Sequence, residues 1–230
     1  MVRTTPWDRF AKECPTFYIA THTRWRWNEE DTFWRSGERT VQFIWDHVYP
    51  RLARRFLAIE IGVGIGRLAV PMAQRFVQVK VVDHSRVMLE QLRLRCARFG
   101  RPNITAFLDT AAWDTEPADF IYSALTFQHI SELATIEMYV AKIARCLRGV
   151  AFLQFDTRPR SSFERWREQL PEQWMPRTWR MGMRRIRRDA DVLRTLFARH
   201  HLPILEELNP DSALHVFILG APTPAVPASP

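Results

Sequence analysis

Cysteine is scarce in this chain and badly placed for chemistry. Cys14, Cys96 and Cys146 are odd in number, far apart and form no C-x-x-C pair. That argues against a disulfide framework and a structural zinc site, and no metal is expected. Cys96 and Cys146 fall in helix-like apolar patterns and read as core residues. Lysine is nearly absent: it stands only at 12, 80 and 142, so 30 of the 33 basic residues are arginine. Long apolar runs are missing too. No stretch approaches the roughly 18 apolar residues that a membrane span requires, and the N-terminus has no apolar signal core. No membrane association and a cytoplasmic location are therefore the expectation. No internal repeat is visible.

What is present is a chain of 230 residues, 47% hydrophobic, with a net charge of +8. This suits one sizeable domain with a core of its own and argues against disorder except at the ends. Arginine binds phosphate and carboxylate in bidentate fashion, so the excess fits an acidic substrate or RNA. The plainer reading is a replacement of lysine by arginine throughout a GC-rich genome. Three zones follow one another. Residues 1–52 are rich in tryptophan and lack clear alternation. Residues 53–220 alternate apolar runs with amphipathic stretches, with an Arg- and Trp-rich insert at about 158–188. Residues 221–230 are mostly proline and small residues and read as a flexible tail.

The middle zone predicts strand–helix units. Strands are expected at 56–60, 77–82, 103–108, 119–123 and 150–155, where β-branched and apolar residues cluster between turn signals. Helices are expected at 67–76, despite Pro71; from a Ser85 cap to Phe99; and from a Ser131 cap to Leu147, closed by Gly149. In the first zone Asp31 can cap a helix from Thr32 to Val48, with Phe33, Trp34, Val41, Ile44, Trp45 and Val48 near one face. Toward the end, 189–201 reads as a helix and 204–208 and 214–219 as a strand pair. The fold class is α/β: a Rossmann-like three-layer sandwich with a mostly parallel seven-stranded sheet, an antiparallel C-terminal hairpin strand and N-terminal lid helices.

In such a sheet ligands bind beyond the carboxyl ends of the strands, at the switch point. Gly62, Gly64 and Gly66 follow the first strand, where glycine permits a tight turn and close approach of backbone to ligand. A dinucleotide site wants G-x-G-x-x-G, which puts its third glycine at position 67. That position is Arg67. The spacing is instead G-x-G-x-G, preceded by Glu60, which argues against a nicotinamide-dependent oxidoreductase.

The segments Ala58-Ile-Glu60-Ile-Gly62-Val63-Gly64-Ile-Gly66-Arg-Leu68, Val82-Asp83-His84-Ser85, Asp119-Phe-Ile-Tyr-Ser123 and Phe127-Gln128-His129-Ile130, in that order, resemble the class I S-adenosylmethionine-dependent methyltransferase family, closest to its bacterial small-molecule type. The resemblance covers residues 55–157 well. It implies S-adenosylmethionine as cofactor, with S-adenosylhomocysteine as product. Glu60 would take the methionine ammonium, and the loop Gly62, Val63, Gly64 and Gly66 the amino-acid end. Asp83 would accept from the two ribose hydroxyls, with His84 beside it. Asp109 and Thr110 would meet the adenine amino group, and Ser123 would line the cofactor below its methyl.

A sulfonium is already a strong electrophile, so the protein chiefly aligns a nucleophile and excludes water. A base is needed only when the acceptor is protonated and weakly acidic. His129 is the candidate for that role, because histidine titrates near neutral pH. Gln128, Tyr18, Trp34, Trp179 and Arg180 are candidate acceptor contacts. The aromatics of the first zone, Trp7, Phe17, Tyr18, Trp25, Trp27, Phe33 and Trp34, suit a dry roof that attracts a sulfonium by cation–π forces. The basic run Arg177, Arg180, Arg184, Arg185, Arg187 and Arg188, interleaved with Trp174 and Trp179, suits an acidic or aromatic acceptor. The plainer reading of the run is a solvated face.

The function expected is methyl transfer to O or N of a small molecule by a monomer or homodimer. The alternatives are an RNA or protein/peptide methyltransferase and a non-catalytic cofactor-binding partner subunit. A nucleic-acid acceptor is disfavoured but stays open. Ser123-Ala-Leu-Thr126 is not the Asn/Asp-Pro-Pro-aromatic sequence of family members that methylate exocyclic amines, and no Pro-Cys pair is present for attack at cytosine C5.

Overall fold

A computed structural model describes residues 5–20, 30–159 and 185–222, with the single positions 161, 162, 166, 170 and 174. The candidate residues Trp25, Trp27, Arg177, Trp179, Arg180 and Arg184, and most of the tail, lie outside the described residues.

Seven strands form one sheet in the order β3-β2-β1-β4-β5-β7-β6. They are β1 (Leu57–Ile61), β2 (Gln78–Asp83), β3 (Ile104–Leu108), β4 (Ala118–Ser123), β5 (Leu147–Phe155), β6 (Ile204–Leu208) and β7 (His215–Gly220). β1 runs parallel to both β2 and β4, and β7 is antiparallel to both β5 and β6. All five residues of β1 are buried, as expected of a parallel strand covered on both faces. The sheet order reverses between β1 and β4, which places the ligand crevice above those two strands.

The first helices are α1 (Pro6–Glu13), α2 (Pro15–Ile19) and α3 (Glu30–Val48). They are followed by α4 (Ala69–Met72), α5 (Arg86–Arg98), α6 (Leu133–Cys146) and α7 (Ala190–Arg199). One face of the sheet packs on Ile136, Val140 and Ile143 of α6 and on Leu193 and Phe197 of α7. The other packs on Val41, Ile44 and Val48 of α3, Met72 of α4, and Leu89 and Leu92 of α5. A third cluster, built from Phe10, Ala11, Ala20, Phe33, Ile65 and Met88, fastens the N-terminal helices to the glycine loop and the start of α5.

Three sequence expectations are corrected. The helix expected over 67–76 is only Ala69–Met72. Pro71 has no N–H to give the Arg67 carbonyl, and Gly37 of α3 packs against that carbonyl so tightly that an added Cβ would overlap it. Gly149 does not close α6: the helix stops at Cys146 and Gly149 lies within β5. Its missing Cβ lets the Asp119 carbonyl lie close against it. Ser131 does not cap α6 either. The cap position is Glu132, without a side-chain bond, and the Ser131 carbonyl accepts from Arg188.

Candidate functional site

The glycine loop is held by backbone geometry that side chains would break. Gly62, Gly64 and Gly66 have φ of +79°, +55° and +95°, a region L-residues with a Cβ visit only at a cost. The Gly62 and Val63 N–H groups donate to the Val82 carbonyl at 2.7 and 3.2 Å. The loop is thereby folded back over the tip of β2.

Asp83 ends β2 and is buried. One carboxylate oxygen accepts from the Gly64 N–H at 2.8 Å and the other from the Ser85 N–H at 2.8 Å. A carboxylate has about four acceptor positions, so two remain, as a pair of vicinal hydroxyls would need. Burial pushes its pKa up, against the pull of His84 and the two N–H groups. His84 itself is exposed, its Nδ1 3.7 Å from Asp83. Ser85 caps α5 by accepting from the Met88 N–H at 3.1 Å, as its position predicts.

The N-terminal helices dock on this same corner. The Ser85 hydroxyl donates to Asp8 of α1 at 2.6 Å, and the Gln91 amide donates to the Ala11 carbonyl at 2.6 Å. Ile19 of α2 lies against Gly64, where an added Cβ would come within 2.6 Å of its Cδ1. At the other side of the crevice the Trp7 ring meets the His129 ring edge-on, centroids 5.5 Å apart. The N-terminal helices therefore reach from the β2 tip to the loop after β4. The Asp8–Ser85 latch was missed in the sequence, although Thr5-Pro-Trp-Asp8 carries a readable capping-box pattern. The structure shows that box, with reciprocal Thr5 and Asp8 bonds.

Glu60 is buried and accepts a hydrogen bond from the Tyr122 hydroxyl at 2.9 Å. Burial pushes its pKa up to about 8, against the pull of Tyr122 and of Arg67, while Asp83 adds to the rise. Ser123 is fully buried, and its hydroxyl donates to the Ile61 carbonyl at 2.9 Å, so it ties β4 to the end of β1. Asp109 follows β3; its N–H donates to the Asp83 carbonyl at 3.1 Å, and its carboxylate accepts from Tyr139 at 3.4 Å. Thr110 beside it is exposed.

His129 closes a short 3-10 turn, Phe127–His129. Its Nε2 lies 3.3 Å from the Gln128 amide nitrogen. Gln128 is 2% exposed, and its Oε1 is buried without a hydrogen-bond partner among the described residues. The insert returns to this same turn: the Ile186 N–H donates to the Gln128 carbonyl at 2.6 Å. Arg188 donates to the Ile130 carbonyl at 2.8 Å, and its N–H reaches the Asp156 carbonyl at 2.8 Å. Asp156, fully buried at the end of β5, also holds Arg158 through two bonds of 3.0 and 2.6 Å. Both roots of the insert are thus clamped at the mouth of the crevice.

The structure brings together Glu60, Gly62, Val63, Gly64, Gly66, Asp83, Asp109 and Ser123 at the strand tips, with Gln128 and His129 on the β4 side. Two other candidates sit elsewhere in the N-terminal helices. Tyr18 stacks on Phe10 at 4.0 Å and donates its hydroxyl to Glu13 at 2.8 Å. Trp34 packs edge-on against Phe33 and against Phe99, at the far end of α5 from Asp83. Among the described residues no cluster of histidine, cysteine and carboxylates is placed to hold a metal, and no helix is long and apolar enough to cross a membrane.

A mostly parallel sheet with an inverted seventh strand, a glycine loop at its switch point and an acid at the next strand tip define a Rossmann-like methyltransferase fold. The sequence profile of the methyltransferase domain matches residues 58–149. Those residues thus carry a methyltransferase domain, the domain of enzymes of class EC 2.1.1. No curated protein is a significant match to the sequence. Among solved structures it is similar to the magnesium protoporphyrin IX methyltransferase ChlM of Synechocystis PCC 6803 with bound S-adenosylhomocysteine. The identity is 14%, over 90% of this chain and 97% of that one, with a TM-score of 0.62. It is also similar to the CcbJ methyltransferase of Streptomyces caelestis, at 17% identity over 81% and 90% of the chains and a TM-score of 0.59. A third likeness is to the Haloferax volcanii protein in complex with the Trm112 methyltransferase activator, at 13% identity over 96% and 100% and a TM-score of 0.63.

Proposed function

We propose that this enzyme transfers the methyl group of S-adenosylmethionine to an oxygen or nitrogen of a small-molecule acceptor. The carrying observation is the roof: α1 and α2 cover the crevice from Ser85 to His129, with Ile19 on Gly64 and Trp7 on His129. A covered crevice favours a compact acceptor over a folded RNA or protein, and it keeps water from the reacting atoms. Residues 1–52 act as the lid and 53–220 as the catalytic domain.

The residues fit the cofactor. Asp83 has two acceptor positions left for the ribose hydroxyls, and Glu60 offers a buried carboxylate for an ammonium. The loop Gly62, Val63, Gly64 and Gly66 provides backbone groups for the amino-acid end. His84, Asp109 and Thr110 border the nucleoside, and Ser123 lies below the methyl position. The cofactor supplies an activated methyl on sulfur. His129 accepts the acceptor's proton, and Gln128, with an unmatched amide oxygen, takes a hydroxyl or amino donor of the acceptor. Tyr18 stays assigned to the lid, and Trp179 and Arg180 to the insert, that shape the acceptor pocket, whereas Trp34, packed on Phe99, braces the lid away from it.

Labelled methyl transfer tests this reading. Label should enter a small-molecule acceptor and not total tRNA or protein. Label found only in RNA or polypeptide would overturn it. With that acceptor, His129→Ala should lower turnover by about 10²–10⁴-fold, the usual contribution of a positioned base, while S-adenosylhomocysteine binds as before. Normal turnover would make His129 a packing partner of Trp7.

A further inference from the structure

Asp8 lies in the first turn of α1 and is 9% exposed. Its two carboxylate oxygens face different helices. Oδ2 accepts from the Thr5 N–H at 2.7 Å and from the Thr5 hydroxyl at 3.2 Å, which starts α1. Oδ1 leaves its own helix. It accepts from the Ser85 hydroxyl at 2.6 Å, with the Val87 N–H at 3.5 Å, both at the start of α5. Burying a carboxylate is costly unless donors compensate it, and starting α1 needs only the first oxygen. The second is committed to α5, where a helix N-terminus favours negative charge.

That same helix start orients Asp83. Ser85 has one N–H and one hydroxyl proton to give. The N–H goes to Asp83 at 2.8 Å and the hydroxyl proton to Asp8, while the hydroxyl oxygen accepts from the Met88 N–H at 3.1 Å. The other backbone donor to Asp83 is the Gly64 N–H at 2.8 Å, and Ile19 of α2 lies against Gly64. Each of the two N–H groups that aim the Asp83 carboxylate is thus backed by a residue of the N-terminal helices. The Gln91 amide, donating to the Ala11 carbonyl at 2.6 Å, keeps α1 in place along α5.

We propose that Asp8 is a positioning residue for the methyl donor: reaching in from α1, it holds Ser85, and through Ser85 the Asp83 carboxylate that receives the donor's ribose hydroxyls. The proposal rests on the cofactor reading given above. Docking of α1 and binding of the nucleoside are then coupled, and the coupling is reciprocal. Loss of the Asp8 charge loosens the ribose site, and a ligand on Asp83 tightens α1.

The test uses the full chain and two probes, S-adenosylhomocysteine and its analogue lacking both ribose hydroxyls, with affinity read by calorimetry. Asp8→Asn keeps the size of the side chain and removes its charge and one acceptor. It should weaken binding of S-adenosylhomocysteine by about 5- to 10-fold, the low end of coupling between linked sites. The analogue gives Asp83 nothing to hold, so its affinity should fall by about twofold at most, the scatter expected of uncoupled changes. Ser85→Ala should reproduce the selective loss, and adding Asp8→Asn to it should cost little more, because the two residues act as one unit. A second measurement needs no substitution. Hydrogen exchange of the α1 amides should slow when S-adenosylhomocysteine binds, and slow less with the analogue at equal saturation. Wild-type affinity in Asp8→Asn would overturn the proposal, even if that protein melted earlier. An equal loss for both probes would overturn it as well, since Asp8 would then act without Asp83. So would α1 exchange that is indifferent to the ribose hydroxyls. Failure of the wild type to bind S-adenosylhomocysteine at any concentration is a different result, and it would strike the cofactor reading itself.

Discussion

Asp83→Ala should nearly abolish binding of S-adenosylhomocysteine. Two hydrogen bonds to a carboxylate, at about 1.5–3 kcal/mol each, amount to about 3–6 kcal/mol, or roughly 10²–10⁴-fold in affinity. The same side chain holds the Gly64 and Ser85 N–H groups, both at 2.8 Å. Its loss leaves two buried donors unmatched, each costing about 1–3 kcal/mol, so the glycine loop should loosen and the melting temperature fall. Asp83→Asn separates the two effects. It keeps the shape and one amide oxygen, so it should recover more stability than affinity. Calorimetric affinity and thermal melting of both variants are the measurements. Unchanged affinity in Asp83→Ala would remove Asp83 from the site.

The second large effect belongs to Gly62. A Cβ at this position would overlap the Thr126 side chain, coming within 2.6 Å of its Cβ, and the backbone has φ of +79°. Gly62→Ala should therefore incur a left-handed backbone cost of about 1–2 kcal/mol and an overpacking cost of about 1–3 kcal/mol. Together they correspond to a fall in melting temperature of roughly 4–20 °C, with cofactor binding lost alongside. Gly100 provides an internal control. It also has a positive φ, +60°, but nothing lies within 4 Å of an added Cβ. Gly100→Ala should show the backbone cost alone. Pairing Gly62→Ala with Thr126→Gly should return the steric part and leave the backbone part. If Gly62→Ala melts and binds like the wild type, the tight apposition of the glycine loop and the β4 loop does not matter to the site.

The parts of this enzyme that were legible in its sequence are those set by local pattern. β6 falls at the residues expected, and β1 through β4 are shifted by one residue at most at either end, because buried strands announce themselves as short apolar runs between turns. The Ser85 cap and the end of α3 at Val48 were readable for the same reason. What failed depended on partners distant in sequence. The reach of Pro71's missing donor is felt at Gly37 on α3, and Gly149 is explained by the Asp119 carbonyl on the neighbouring strand. Asp8 meets Ser85 across 77 positions, and Tyr122 meets Glu60 across 62. Arg67 shows the limit most plainly. Its identity served to argue against a dinucleotide loop, but nothing local announced that an arginine there would be buried beneath α3.

The acceptor side was the least legible, and for a physical reason. The cofactor end, as proposed, consists of backbone turns and strand tips, whose requirements constrain residue type. In the proposed reading the acceptor end falls to the N-terminal helices and to the insert whose roots are bonded to Asp156 and Gln128. Arginine and tryptophan, in which those segments are rich, are residue types that tolerate many arrangements. The arginine excess keeps its two readings at the sequence level. Three of its members, Arg67, Arg158 and Arg188, have structural partners that composition does not reveal.

The most direct measurement of the central claim is ligand-induced stabilisation of the intact chain. A ligand that binds only the folded state stabilises it by about 2.7 kcal/mol at a hundredfold excess over its dissociation constant. S-adenosylhomocysteine should therefore raise the melting temperature by several degrees, and NADH at the same concentration should leave it unchanged. Stabilisation by NADH without any by S-adenosylhomocysteine would contradict the account.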